Sequence, residues 1–231
     1  MNIALVQART NSSRFPRKIF ADLNGDSILD WVLSGIKRSK LIDRVVVAIP
    51  SGANDNELSD RLANYSYLYC YRGDENDVIS RVSNACLEYA NLDDLMIRIC
   101  GDSPLVSGEL IDELISFHHV NRNCYSYNNR PIRNNFPDGL GAEATAVRLL
   151  HHLNKVAKDA EREHIYNYIW NNKGKFKVGT YNTSHPELNR PSLKLDVDTR
   201  TDLERLRGYP INKNMSTMEI MSRICSQEEA R

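Results

Sequence analysis

Short apolar runs separated by stretches of helical period constrain this chain more than any other feature. Residues 3–6 (I-A-L-V) and 45–49 (V-V-V-A-I) are continuous apolar runs of strand length, as buried strands are. Residues 67–71 and 95–99 supply two further strands. Between the first two, Ile28, Trp31, Val32 and Ile36 recur at helical spacing behind a capping arrangement of Ser27 and Asp30. Residues 55–65 and 109–118 also read as helical. Residues 74–90 form an amphipathic helix with Val78, Val82, Leu87 and Ala90 near one side. This alternation predicts an α/β fold: a mostly parallel sheet with helices on both faces. In such sheets ligands gather at the carboxyl ends of the strands, so the loops after Val6, Tyr71 and Ile99 are where a site belongs.

From Tyr125 the rhythm changes. N-N-R-P at 128–131 and N-N-F-P-D-G at 134–139 are loop-forming. Residues 141–147 suit a strand, 149–158 and 161–170 helices, and 176–181 an extended segment. Residues 193–197 then return as a core strand before a helix at 199–207. Within one domain spanning 1–231, the pattern makes 129–190 an insertion that covers the site or forms a subunit interface.

Composition narrows the partners. Thirty basic residues balance thirty acidic ones over 231 residues, so no global field directs the chain to nucleic acid or an acidic membrane. The five cysteines are odd in number and form no C-x-x-C pair, which supports neither a zinc site nor a disulfide framework. The apolar N-terminus is too short for a signal peptide and no run approaches a membrane span, so a cytosolic protein is expected. His118, His119, His151 and His152 lack metal spacing and read as helix-surface residues. The alternating Tyr65, Tyr67, Tyr69 and Tyr71 suit strand packing.

Three constellations could carry chemistry. The first is Q-A-R-T-N-S-S-R-F-P-R-K at 7–18, directly after the first strand. Arg9, Arg14 and Lys18 supply charge, and the small residues between them leave backbone N–H groups accessible to a polyphosphate. It is not a Walker A loop. The second is R-I-C-G-D-S-P-L at 98–105. Gly101 sets Asp102 just past a buried strand, as a metal ligand or as a cap of the next helix. The third is L-D-V-D-T at 195–199. Strand alternation puts Asp196 and Asp198 on the same side, where they repel unless a cation or base lies between them. Asp198 is a ligand or the N-cap of the helix at Thr199. A basic loop with two separate strand-end carboxylate sites is what magnesium-assisted phosphoryl transfer uses.

The motifs at 7–18, 72–78 (R-G-D-E-x-D-V), 101–105 (G-D-S-P-L), 136–140 (F-P-D-G-L), 161–164 (E-R-E-H) and 195–199 together resemble one family. It is the cytidylyltransferase family of the acylneuraminate and 3-deoxy-manno-octulosonate type, in its spore-coat polysaccharide biosynthesis branch. The resemblance runs to about Arg207. It implies a Rossmann-like fold, a homodimer, and transfer of CMP from CTP to a sugar-type acceptor with release of pyrophosphate. By motif, Gln7, Ala8, Arg9, Ser13, Arg14, Lys18, Arg72 and Gly101 would bind the nucleotide. Asp102 and Asp198 would hold Mg2+, with Asp196 as helper, and Arg14, Lys18, Asp102 and Asp198 would form the catalytic set. Asp74, Asp138, Glu143, Arg162 and His164 would meet the acceptor, a sugar acid or a phosphorylated sugar. The octulosonate enzymes tend to carry Gln before Gly-Asp, where this chain has Cys100. Two other readings compete: a glycosyltransferase using the D-x-D pair at 196–198, and a nucleotide-binding paralogue without turnover.

Overall fold

The computed structural model describes residues 1–158 and 161–230. Its strands are β1 (Asn2–Gln7), a small hairpin of β2 (Asp22–Leu23) and β3 (Asp26–Ser27), β4 (Arg44–Pro50), β5 (Leu68–Gly73), β6 (Leu95–Cys100), β7 (Tyr125–Tyr127), β8 (Glu143–Ala146) and β9 (Val178–Gly179). Its helices are α1 (Ile28–Lys37), α2 (Asn56–Leu62), α3 (Val78–Tyr89), α4 (Gly108–Asn121), α5 (Val147–Val156), α6 (Asn167–Asn171), α7 (Arg200–Arg207) and α8 (Thr217–Glu229). Seven strands form one sheet in the order β5-β4-β1-β6-β8-β7-β9. The β5, β4, β1 and β6 strands pair in parallel, and β8 adds antiparallel to β6. The expected mostly parallel α/β sheet is therefore present.

Period-two alternation divides the core between the two faces. Ala4 and Val6 of β1 join Val45, Val47, Ile97 and Ile99 in a cluster with α1 and α4. Ile3 and Leu5 face the other way, with Val46, Ala48 and Met96, against α3 and α5. Each fully buried Leu, Ile or Val here contributes about 1.5–3 kcal/mol of transfer free energy. The capping box of Ser27 and Asp30 starts α1 as expected, and both reciprocal bonds form. No helix among the described residues is long and apolar enough to cross a membrane. All five cysteines are free thiols.

Three segments depart from the expected pattern. Residues 193–197 are not a strand of the sheet. Leu195 and Val197 are fully buried, but the segment makes only an isolated bridge, Asp138 with Lys194. Both edges of β6 are taken, by β1 on one side and β8 on the other. Residues 162–166 are turns and a bend and not helix, because tertiary bonds claim the backbone: Ile79 N–H donates to the Arg162 carbonyl at 3.1 Å. His118 is buried on α4 (6% exposed), contrary to its reading as a surface residue. The periodicity also left α8 unassigned, although Ser216 and Glu219 form a capping box at its start.

Candidate active site

The loop that follows β1 is held open by a buried carboxylate from another part of the chain. Asp55 Oδ1 accepts from the Thr10 backbone N–H (2.7 Å) and from Thr10 Oγ1 (2.9 Å). Within the loop, Arg17 N–H donates to the Thr10 carbonyl at 2.8 Å, and Arg17 itself adopts a left-handed conformation with φ 61°. The loop after β6 closes against this one. Gly101 N–H donates to the Gln7 carbonyl at 2.9 Å, and a Cβ at Gly101 would stand 2.9 Å from that same oxygen. Only glycine allows the two strand ends to approach so closely.

Between these loops lies a cleft of about 180 Å³. Gln7, Ala8, Arg9, Ser13, Arg14, Lys18, Gly101, Asp102 and Asp198 all line it, so the structure gathers nine of the expected nucleotide and catalytic residues in one place. Four cationic side chains there (Arg9, Arg14, Lys18 and Arg98) face two carboxylates, a surplus of positive charge suited to a polyphosphate.

The two carboxylates converge on one cation. Lys18 Nζ donates to Asp102 Oδ2 (2.7 Å) and to the Val197 carbonyl (3.0 Å), and lies 3.6 Å from Asp198 Oδ1. Arg14 Nη2 donates to Asp198 Oδ1 at 2.7 Å. Val197 N–H donates to the Asp102 carbonyl at 2.8 Å and locks the two segments together. Neither acid caps a helix: Ser107 caps α4 and Thr199 caps α7. Their carboxylates are thus free for the cleft.

Asp196 plays a different part. The cation required between Asp196 and Asp198 is Lys194, whose Nζ lies 3.1 Å from Asp196, 3.6 Å from Asp198 and 3.2 Å from Asp202. Burial opposes charge on Lys194, but the Asp196 and Asp202 carboxylates outweigh it and raise its pKa. Burial raises Asp196 despite Lys194, and raises Asp138 with help from the nearby Asp196 charge. Asp196 and Asp138 line a second cavity of about 400 Å³, which shares Cys100 and Asp102 with the cleft. Gly139 (φ +92°) lets this wall close, since a Cβ there would meet Asp196 N at 2.6 Å.

The remaining expected residues divide. Glu143 and His164 line a third, small cavity together with Arg98 and Arg130. Arg72 donates to the carbonyls of Ser51 (3.1 Å) and Gly52 (2.9 Å) and does not line the cleft. Asp74 accepts from the backbone N–H groups of Asn76 and Asp77, shaping the turn before α3. Arg162 is spent on Asp77 (2.9 Å) and on the Asn154 and Ala157 carbonyls. Residues without an assigned role also matter: Asp55, Lys194, Arg98 and Arg130. Arg98 carried a signal, a charge inside the apolar run L-M-I-R-I. Asp55 carried none, because its partner is 45 residues away.

A family model described as cytidylyltransferase matches residues 3–221. The chain belongs to the cytidylyltransferase family. Within it, this cytidylyltransferase is similar to an uncharacterized protein of Methanocaldococcus jannaschii, 34% identical over 204 residues that cover 87% of this chain and 80% of that one. It is also similar to the spore coat polysaccharide biosynthesis protein SpsF of Bacillus subtilis, 26% identical over 88% of this chain and 84% of the relative. Among solved structures, a cytidylyltransferase from Leptospira borgpetersenii superposes with a TM-score of 0.85 at 28% identity, covering 99% of this chain and 95% of that one. The sequence match of this nucleotidyltransferase and its superposition on that structure therefore agree on one family.

Chemically, Asp102 and Asp198 are hard oxygen donors that already share one cation, so this cytidylyltransferase has a donor pair that fits a divalent metal ion. No group of three or more His, Cys, Asp or Glu side chains forms a metal cage among the described residues. Magnesium is commonly held by one or two carboxylates, with water and substrate phosphates completing the shell.

Proposed function

We propose that this cytidylyltransferase transfers CMP from CTP to a hydroxyl of a sugar acid and releases pyrophosphate, with Mg2+ as cofactor. The observation that carries the reading is the convergence of Arg14, Lys18, Asp102 and Asp198 at the carboxyl ends of β1 and β6. Asp102 and Asp198 would hold the metal ion, which when bound neutralises the phosphate oxygens. The backbone N–H groups of the 7–18 loop and the Arg9 side chain orient the triphosphate. Its oxygens draw Arg14 and Lys18 away from the carboxylates, and the two cations then stabilise the departing pyrophosphate. The acceptor oxygen attacks the α-phosphorus in line, and no protein nucleophile is needed.

The cavity beside Asp102 is the acceptor side. Segment 129–190 supplies Asn129, Arg130 and Asp138 to it, which supports its role as a cover over the sugar. We assign the homodimer implied by the family resemblance to the same segment. SpsF is named for spore coat polysaccharide biosynthesis, and we place this enzyme in the supply of an activated sugar for a surface polysaccharide.

The test is thermal stability with CTP, ATP, GTP or UTP, with and without magnesium. A ligand at about 100 times its Kd adds roughly 2.7 kcal/mol, a rise of a few degrees. A magnesium-dependent rise with CTP alone is expected. A rise with another triphosphate overturns the base, and no rise with any overturns the reading.

A further inference from the structure

The wall between the nucleotide cleft and the acceptor side is built around one fully buried carboxylate. Glu143 accepts from Arg98 Nη1, from the Tyr125 hydroxyl, and from Arg130 Nη2 at 3.4 Å. Its side chain is 1% exposed. Two guanidinium groups on one carboxylate leave a surplus positive charge, carried between Arg98 in the wall (15% exposed) and the half-buried Arg130 (38% exposed), which an anion in the cavity would answer.

Arg98 is fixed on its other side. Its Nε and Nη2 both donate to Gln7 Oε1, at 3.1 and 3.0 Å. Three of the five guanidinium N–H groups are thus engaged, and two remain for a ligand. The cavity of about 80 Å³ beside it is also lined by Tyr166 and Trp170. Tyr166 is 4% exposed, and its hydroxyl is buried without a hydrogen-bond partner. Trp170 Nε1 is likewise buried and unpaired. Burial pushes the Tyr166 hydroxyl well above its ordinary range, so it stays protonated and offers a donor. An unpaired hydroxyl, an indole N–H and a surplus of positive charge together call for a compact anionic acceptor group.

We propose that this cavity is the acid-group subsite of the acceptor, and that Arg98, clamped by Glu143 and Gln7, is the residue that recognises the carboxylate. The charge selects the group: one carboxylate neutralises the surplus, whereas a phosphate dianion leaves a negative charge buried. The connections select the pose. Arg130 lines both this cavity and the larger one beside Asp102, and Arg98 lines both this cavity and the nucleotide cleft. A sugar in the larger cavity can therefore direct its acid group to the two arginines while a hydroxyl faces the nucleotide. Glu143 acts through Arg98 as a positioning residue and does not itself meet the acceptor. This inference rests on the acceptor side proposed above, but not on the identity of the base.

The chain has two tryptophans, which makes indole N–H resonances a simple reporter. Trp170 lines the cavity, while Trp31 donates to the Leu23 carbonyl at 2.7 Å in the core and serves as internal control. The protein is titrated with pyruvate, pyruvamide or inorganic phosphate, with and without magnesium and CTP. Pyruvate is expected to move the Trp170 resonance saturably and leave Trp31 in place, while the neutral amide and phosphate do neither. Arg98→Met combined with Glu143→Gln removes both buried charges together and avoids stranding Glu143. It should weaken the pyruvate response about tenfold or more while the Trp31 resonance keeps its position, which shows the core intact. A pyruvate response in protein that ignores CTP separates the two proposals. A Trp170 resonance indifferent to pyruvate, moved equally by pyruvamide, moved by phosphate instead, or unaffected by the double variant overturns the assignment.

Discussion

Replacing Lys18 with Met should create a stronger magnesium site in the nucleotide-free enzyme. Lys18 Nζ lies 2.7 Å from Asp102 Oδ2 and 3.6 Å from Asp198 Oδ1, so it occupies the position between the two acids where a metal ion would sit. At an effective dielectric of about 20, those distances correspond to gross attractions of roughly 6 and roughly 5 kcal/mol. Desolvation, and competition from Arg14 and Lys194 for Asp198, remove most of this. If about a quarter survives, the carboxylates lose ~2.7 kcal/mol of neutralisation, equivalent to roughly a hundredfold in Kd for a replacement cation. Met keeps the apolar stem, so packing around the loop is retained. Calorimetric titration of magnesium into nucleotide-free wild type and Lys18→Met measures the effect directly. The variant should bind magnesium up to about a hundredfold more tightly and CTP more weakly. It should also melt lower in chelator than with magnesium. Magnesium affinity that is unchanged or weaker in Lys18→Met would refute the claim that Asp102 and Asp198 share one cation site.

Other perturbations follow from the same geometry. Asp102→Asn or Asp198→Asn should cut pyrophosphate release about 10²–10³-fold, since each removes a charge from the reacting centre, while Tm moves by only a few degrees. Asp55→Ala strands the buried Thr10 N–H and should cost about 1–3 kcal/mol by urea denaturation, with CTP binding weakened as the loop loosens. His118 is pushed down from 6.5 to about 4, chiefly by burial and then by His119. Its folded state resists protonation, so the stability it contributes is complete above pH 6.5 and is lost as pH falls toward about 4. The loss reaches at most about 3 kcal/mol. His118→Gln should flatten that part of the urea-midpoint profile, and an unchanged slope would refute the assignment.

The order of strands and helices was legible because it rests on local signals. The apolar runs at β1 and β4, the period of α1 and the Ser27–Asp30 box each act within a few residues. The basic loop was legible for the same reason, since its position after a buried strand places it at a carboxyl end. What periodicity could not supply is the competition between segments for the same place. Leu195 and Val197 have a strand's composition, yet β8 takes the edge of β6 and leaves them beside the loop at Asp138. Residues 162–166 lie in a stretch that reads as helical, but tertiary bonds at Arg162 hold the backbone in turns.

Charge pairing shows the same division. Hydrophobic patterning of β1 and β6 already places Arg14, Lys18 and Asp102 in the loops at strand ends, whereas Asp198 follows a segment that makes only an isolated bridge. Tertiary structure alone decided that Lys18 lies between two acids, one of them 84 residues away, and that Arg14 reaches Asp198 across 184 residues. It likewise made Lys194 the cation between Asp196 and Asp198, and paired two arginines with a buried Glu143. The physical reason is range. Backbone propensity and side-chain periodicity act over one or two turns of chain, whereas an ion pair depends on a separation in space that only the completed packing of the sheet sets.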